Sequence, residues 1–361
     1  MNMDVKARFK DKLSNLLFLQ MNKERVEKVF NTKLETNEEV YMPVATEDIV
    51  HKVKNNEDVD NIPVAFFIEG MSYVLGTDEK FKYNDIYEKI ILSVPKASEF
   101  IKGRIASYVK EKKYEEAYII LKGLSKVEKT EEIYNKLIML ADKLRILNKE
   151  YVEEELEIID KAKLIEGYAM PYLYEALIKK DKEDFYGALF GINNYIAKGG
   201  VETPEISDLK NSLKIVNDYD EGKKLVYDEP QKALDLLVPL LSELGDNAEI
   251  YYHIAVAYRI LENSPKAIHY LEKSMEIDSS YPEVFNELGI NYACLQDFES
   301  AIVYLRKVFE VTRSIEVCTN LIMCYINIGD YKQAKSHLEI AKKINNEDEI
   351  VKQLNNILKD A

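Results

Sequence analysis

One pattern recurs three times between Ala248 and Asn346. Tyr258, Tyr292 and Tyr325 lie 34 and 33 residues apart, each followed nine residues on by Ala267, Ala301 or Ala334, and four further by Leu271, Leu305 or Leu338. A period of this length means that each unit is one supersecondary element, unable to bury its apolar face alone and stacked on its neighbours. The spacing predicts two antiparallel helices per unit. The alanines, with Gly289 on a first helix, fall where helices approach closely; Ala255 and Ile322 hold that place in the adjacent copies. Tyr251, Phe285, Leu288 and Leu321 fill the space between. Turn chemistry agrees. Gly329-Asp330-Tyr331 reads as a glycine stop and an Asp cap with Gln333 three residues on. Asp297-Phe298 repeats the cap, and Ser264-Pro265 supplies cap and proline in the first copy.

These residues resemble the tetratricopeptide repeat (TPR) family, most clearly over 248–346. The resemblance implies an all-α fold, a right-handed TPR-type superhelix of six or seven antiparallel helical hairpins. In that family the first helices line a concave groove. Carried onto this sequence, the groove positions are Tyr252, Val256 and Arg259 in one copy, Asn286, Ile290 and Ala293 in the next, and Thr319, Met323 and Asn327 in the last. Glu249, Ile260, Glu283, Cys294, Glu316 and Ile326 accompany them. The co-chaperones of the family hold a C-terminal carboxylate with Lys and Asn. Here the matching places carry Tyr252, Val256 and Asn286, with Asn320 nearby and no lysine, so the resemblance implies an apolar or amphipathic peptide or helix instead. Asn286 and Asn327 can pair with a peptide backbone.

The rest of the chain divides by how far the period can be followed. Residues 1–97 do not fit it and read as an N-terminal helical region. A helical stripe runs through Phe9–Phe30 (Leu13, Leu16, Leu17, Met21, Val26, Phe30), and Thr46-Glu-Asp48 looks like a helix start. Asn55–Asn61 reads as a loop. Ile62–Leu75 and Tyr83–Val94 read as helices, with Gly76-Thr-Asp78 as the break and strand signals weak throughout. Residues 98–202 carry degenerate repeats: Tyr108, Tyr114, Ala117 and Leu121 in one, Leu137, Ile138 and Ala141 in a second, Tyr172, Ala176, Phe185, Ala188 and Ile192 in a third. Residues 203–247 are a linking helix, opened by Thr203-Pro204-Glu205 and reaching about Asn217, and a worn repeat with Gly222, Leu225, Pro230, Ala233 and Leu237. Residues 347–361 form a capping helix whose apolar face is Ile350, Val351, Leu354, Ile357 and Leu358.

Composition narrows function. Apolar content of 47% with 31% charged residues suits a folded chain. A net charge of −15 argues against nucleic acid and against an anionic membrane surface. The most apolar stretch, Ile62–Leu75, is too short to span a bilayer and carries Glu69, so it reads as a buried helix. With no secretory signal legible, the expected compartment is the cytoplasm, and the residue usage looks like that of an AT-rich bacterium. Cys294, Cys318 and Cys324 form no disulfide framework. Cys318 takes the place held one unit earlier by Phe285 and reads as a small buried hydrophobe. His51, His253, His269 and His337 show no ligand spacing, and no phosphate loop, HExxH or GxSxG occurs. Glu153-Glu-Glu155 reads as a solvated helix face. No catalytic residue, metal site or cofactor is expected.

The chain therefore reads as a non-catalytic scaffold or adaptor with a protein or peptide partner. Two other readings stand beside it. One is a peptide-sensing regulator whose residues 1–97 are a protein-binding effector; that region carries 14 Lys+Arg against 17 Asp+Glu, which does not suit DNA. The other is an assembly factor that self-associates through its array.

Overall fold

The computed structural model describes residues 4–35, 38–46, 49–50 and 62–359. The proposed helix start at 46–48 is therefore seen only at Thr46, and the expected 55–61 loop and His51 lie outside the described residues. The chain forms two compact units, 1–210 and 211–361. The boundary falls within one helix, Pro204–Leu225.

Unit 1 opens with α1 (Val5–Asp11), a 3-10 turn (Lys12–Asn15), strand β1 (Leu16–Met21), α2 (Lys23–Phe30) and strand β2 (Val40–Ala45). The expected helical stripe over 9–30 is thus broken. Leu16 to Met21 pair antiparallel with β2, from Leu16 opposite Ala45 to Met21 opposite Val40. The apolar run 16–19 is compatible with helix or strand by itself, and its pairing with β2, whose Val40, Met42 and Val44 are buried, decides for a strand. Helices α3 (Val64–Thr77), α4 (Asn84–Ser93), α5 (Ala97–Lys110), α6 (Tyr114–Val127), α7 (Glu131–Leu147), α8 (Val152–Ala162), α9 (Met170–Asp181) and α10 (Phe185–Ala197) follow. One continuous apolar core joins Val5 and Phe9 to Ile159 and Ile178.

The expected break at 76–78 is present, since α3 ends at Thr77 and Asp78 caps it. Gly76, in its last turn, also serves packing: a Cβ there would sit 1.9 Å from the Ile119 carbonyl oxygen of α6. Reciprocally, a Cβ on Gly123 of α6 would sit 1.9 Å from the Ser72 carbonyl oxygen of α3. The two helices cross at backbone contact because both glycines lack a side chain.

Unit 2 begins on the C-terminal part of α11 (Pro204–Leu225). That helix runs past the expected end near Asn217 and fuses the linking helix with the first helix of the worn repeat. Then come α12 (Pro230–Leu244), α13 (Ala248–Ile260), α14 (Ser264–Ile277), α15 (Pro282–Cys294), α16 (Phe298–Thr312), α17 (Ile315–Asn327), α18 (Tyr331–Ile344) and α19 (Glu349–Lys359). Here the expected stacked hairpins are present. Asp297 accepts from the Ser300 N–H (3.1 Å) and Asp330 from the Gln333 N–H (3.0 Å). In the first copy the cap is Asn263, accepting from Lys266 N–H, and Ser264 is the first helical residue. One residue before each cap the chain turns left-handed: Glu262, Gln296 and Gly329 have φ of 57°, 64° and 75°. Lys112 and Glu183 take the same conformation between α5 and α6 and between α9 and α10, so those hairpins of unit 1 share the turn. Only at 329 does the sequence supply a glycine for it.

The three alanines expected at close approaches are fully buried. A ring pair repeats with them: Tyr258 on Tyr270 (5.6 Å, 10°), Tyr292 on Tyr304 (5.5 Å, 5°) and Tyr325 beside His337 (5.1 Å, 37°). His337 is therefore a repeat-packing residue. Cys318 is buried as expected, with burial pushing its thiol up to about 11. On α19 Val351, Leu354 and Leu358 are buried, whereas Ile350 and Ile357, expected on the same face, are half exposed.

Gly123→Ala should destabilise unit 1 by about 3 kcal/mol or more, since the obstructing atoms are backbone and cannot rotate away. Gly103→Ala, where a Cβ meets nothing within 4 Å, should be neutral to stabilising. Urea unfolding of the two variants checks the contrast.

Candidate functional site

The first helices of the three clear repeats, α13, α15 and α17, pack side by side. Arg259 of α13 reaches across to α15, its Nε 2.6 Å from Glu287 Oε2. Tyr252 of α13 packs its ring 5.2 Å from Tyr281, just ahead of α15, and 5.2 Å from His253. By the repeat register, 252, 286 and 319, then 256, 290 and 323, hold equivalent places on these three helices.

The nine expected groove residues differ in what they offer. Val256 and Thr319 are 1% and 3% exposed, so neither presents a side chain to a ligand. Thr319 spends its hydroxyl on the Glu316 carbonyl oxygen (2.8 Å). Family position alone could not show this, because the burial comes from the packing of adjacent units. Ile290 and Ala293 are partly exposed, and Met323 is 45% exposed. Tyr252 is half-buried and its phenol is held protonated by burial. Asn327 is exposed, with its amide donating to the Met323 carbonyl oxygen (2.8 Å). Asn286 has its Oδ1 buried with no hydrogen-bond partner.

Arg259 is engaged rather than free. Its partner Glu287, which the sequence reading did not single out, is 6% exposed; burial pushes the Glu287 carboxyl up while Arg259 draws it back. The signal was available as an acid four residues before Asn291 on an otherwise apolar helix face. Asn291 is fully buried and donates to the Glu287 carbonyl oxygen (2.8 Å). Of the glutamates along the edge, Glu249 pairs with Lys223 (3.1 Å) and lies 3.7 Å from His253 Nε2. Burial and the Lys223 charge push His253 below its ordinary value of 6.5.

Unit 1 holds charged groups that the sequence reading placed in solvent. Glu154 and Glu155 are 3% and 0% exposed. Glu154 accepts from the Tyr118 hydroxyl (2.8 Å) and from Lys122, itself buried in the middle of α6. Glu155 pairs with Arg145 (2.7 Å), which also holds Asp142 and Asp181. Only Glu153 of the three is solvated. The missed signal was the single Lys122 within Ala-Tyr-Ile-Ile-Leu-Lys-Gly-Leu, because a lone cation on an apolar helix calls for a buried anion. Glu69 is buried as the sequence implied, held by Arg104 (2.6 and 2.8 Å) and by the Tyr108 hydroxyl (2.8 Å).

Two measurements test these assignments. Arg259→Met leaves Glu287 buried and unpaired and should cost about 2–3 kcal/mol in urea unfolding. The double variant Arg259→Met/Glu287→Met should recover most of the loss. For His253 the folded-state value lies below the unfolded one, so the unfolded chain binds the extra proton and stability falls as pH drops below 6.5. The difference in Tm between about pH 7.5 and about pH 5.5 should therefore be smaller in His253→Gln than in the wild type.

Among the described residues no helix is long and apolar enough to cross a membrane. The family profile described as tetratricopeptide repeat matches residues 248–281. No curated protein sequence matches the chain. Among solved structures, MamA is similar at 20% identity over 41% of this chain and 82% of its own, with a TM-score of 0.38. YrrB, described as a TPR protein with an unusual peptide-binding site, is similar at 16% identity over 56% of this chain and 99% of its own, with a TM-score of 0.37. At these scores the likeness bears neither on the arrangement nor on the ligand of this chain. The profile match falls on a hairpin that carries one tetratricopeptide repeat, and its period, left-handed turn and ring pair recur at 282–312 and 315–344.

Proposed function

We propose that unit 2 is a non-catalytic scaffold that holds an amphipathic peptide or helix across α13, α15 and α17. The observation that carries this is apolar surface left open on adjacent first helices: Met323 is 45% exposed, and Ile290 and Ala293 are partly exposed. Ile290, Ala293 and Met323 give the apolar strip, and Tyr252 adds a ring with a polar tip at its edge. Asn327 and the exposed Glu283 and Glu316 border the strip with polar groups, which suits a ligand apolar on one face and polar or basic on the other. Val256 and Thr319 support the strip from beneath. Arg259 does so through Glu287, so it shapes the surface without spending its charge on the ligand.

Peptides selected from a displayed library against the full chain should carry apolar anchors at i, i+3/i+4 and i+7. Their affinity should fall about tenfold or more in Ile290→Arg/Met323→Arg and stay unchanged in Val303→Arg, an exposed position on α16. Selected peptides that lack such anchors, or that bind the double variant as tightly as the wild type, would sink the proposal.

A further inference from the structure

A cleft of about 450 Å³ opens in unit 1 between the end of α6, the start of α7 and the end of α8. Its walls carry four lysines, Lys122, Lys126, Lys129 and Lys161, over an apolar floor that includes Tyr134 and Ile158, and among the described residues none of the lining is acidic. In a chain of net charge −15 this is a local reversal of sign. The lysines are only partly neutralised. Lys122 is spent on the buried Glu154. Lys126 and Lys161 share one acceptor, Glu79 Oε1, at 2.8 and 2.9 Å. Lys129 is exposed and makes no ion pair among the described residues. Four ammonium groups thus face two carboxylates. Lys126 and Lys161 lie in last helical turns, where a cation offsets the helix dipole, but Lys122 is mid-helix and Lys129 lies beyond the end of α6, so the dipole does not account for the set.

Glu79, which is not one of the lining residues, pairs with two of the lysines that are. It projects from the segment after α3, half of its side chain is exposed, and the hydrogen bonds from Lys126 and Lys161 hold its carboxyl at about 2. A carboxylate is already bridged there by two ammonium groups, with a third cation unspent beside it. At the rim, Leu164 is 85% exposed and continues the apolar floor outward.

We infer that this cleft binds a small anion carried on an apolar arm. A phosphate or carboxylate would take the place of Glu79 between Lys126 and Lys161 and reach Lys129, with the arm over Tyr134, Ile158 and Leu164. This site is separate from the α13–α17 strip and does not depend on it.

Titration calorimetry on the full chain with octyl phosphate and with octanoate, below their micellar range, tests the inference. One of them at least should bind at a single site, and the tighter of the two distinguishes a phosphate ligand from a carboxylate one. Inorganic phosphate should bind more weakly than octyl phosphate, and octyltrimethylammonium should not bind. Lys129→Gln and Lys161→Gln should each weaken binding about tenfold, and added salt should weaken it further. Lys129 is exposed and unpaired, so its variant should keep the wild-type Tm. In parallel, the ligand should protect Lys129 and Lys161 from acetylation, read by mass spectrometry, and leave Lys136 unprotected. The inference is overturned if neither anion binds at millimolar concentration, if both lysine variants bind as the wild type does, if inorganic phosphate matches octyl phosphate, or if the cationic analogue binds equally well.

Discussion

Helices in this protein approach to backbone distance, and much of the structure depends on the residues that permit it. In unit 1 Gly76 and Gly123 each face a carbonyl oxygen of the opposite helix. At that separation there is no room for a side chain, so the crossing point of α3 and α6 is fixed and the larger residues around it, among them Met71, Leu75, Ile119 and Ile120, are driven into the core. In unit 2 the same constraint is met less tightly. Gly289 faces the Leu305 side chain, and Ala267, Ala301 and Ala334 are buried at the matching places of successive hairpins. Small residues set the spacing, and stacked rings such as Tyr258 on Tyr270 and Tyr292 on Tyr304 fill what the spacing leaves.

Buried charge is the second organising feature, and it is distributed unevenly. Unit 1 carries Lys122 with Glu154, Arg145 with Glu155, and Arg104 with Glu69. Unit 2 carries the single comparable pair Arg259 with Glu287 among the described residues. Removing a charge from water costs several kcal/mol unless a partner and hydrogen bonds replace the solvent. The three pairs of unit 1 are accordingly supplemented: the Tyr118 hydroxyl on Glu154, the Tyr108 hydroxyl on Glu69, Asp142 and Asp181 on Arg145. Such pairs tie particular helices together, since Lys122 and Glu154 can meet only when α6 lies against α8. Around the cleft the balance fails: Lys126 and Lys161 share Glu79, and Lys129 has no ion-pair partner among the described residues.

The proposed strip on α13, α15 and α17 rests on the same stacking. First helices lie side by side, so equivalent positions recur along them, but their exposure differs. Val256 is buried in a cluster with Val226, Leu234 and Leu237, which precede it in the chain, whereas its counterparts Ile290 and Met323 keep exposed surface. The arginine in the series is committed to Glu287.

The period at Tyr258, Tyr292 and Tyr325 was enough, without coordinates, to specify paired helices, the buried alanines, the Asp297 and Asp330 caps and the buried Cys318, because each follows from local spacing and local hydrogen bonding. Past those repeats, local signals misled where a distant partner decides. Leu16–Met21 looked like the continuation of a helix and is a strand, because β2 lies a connection away and pairing leaves no periodic mark on one strand alone. Gly76 lies at the expected break and is also a packing site, since a glycine is read from its neighbours in sequence and only α6 reveals the second reason for it. Glu154 and Glu155 looked solvated, because an acidic run carries no trace of Lys122 or Arg145 until the helices are assembled. The chain by itself determined its repeat, its all-α character and its residue inventory. Tertiary structure alone decided which charges are buried, which of the expected groove residues are exposed and where four lysines meet, since these depend on contacts between residues far apart in sequence.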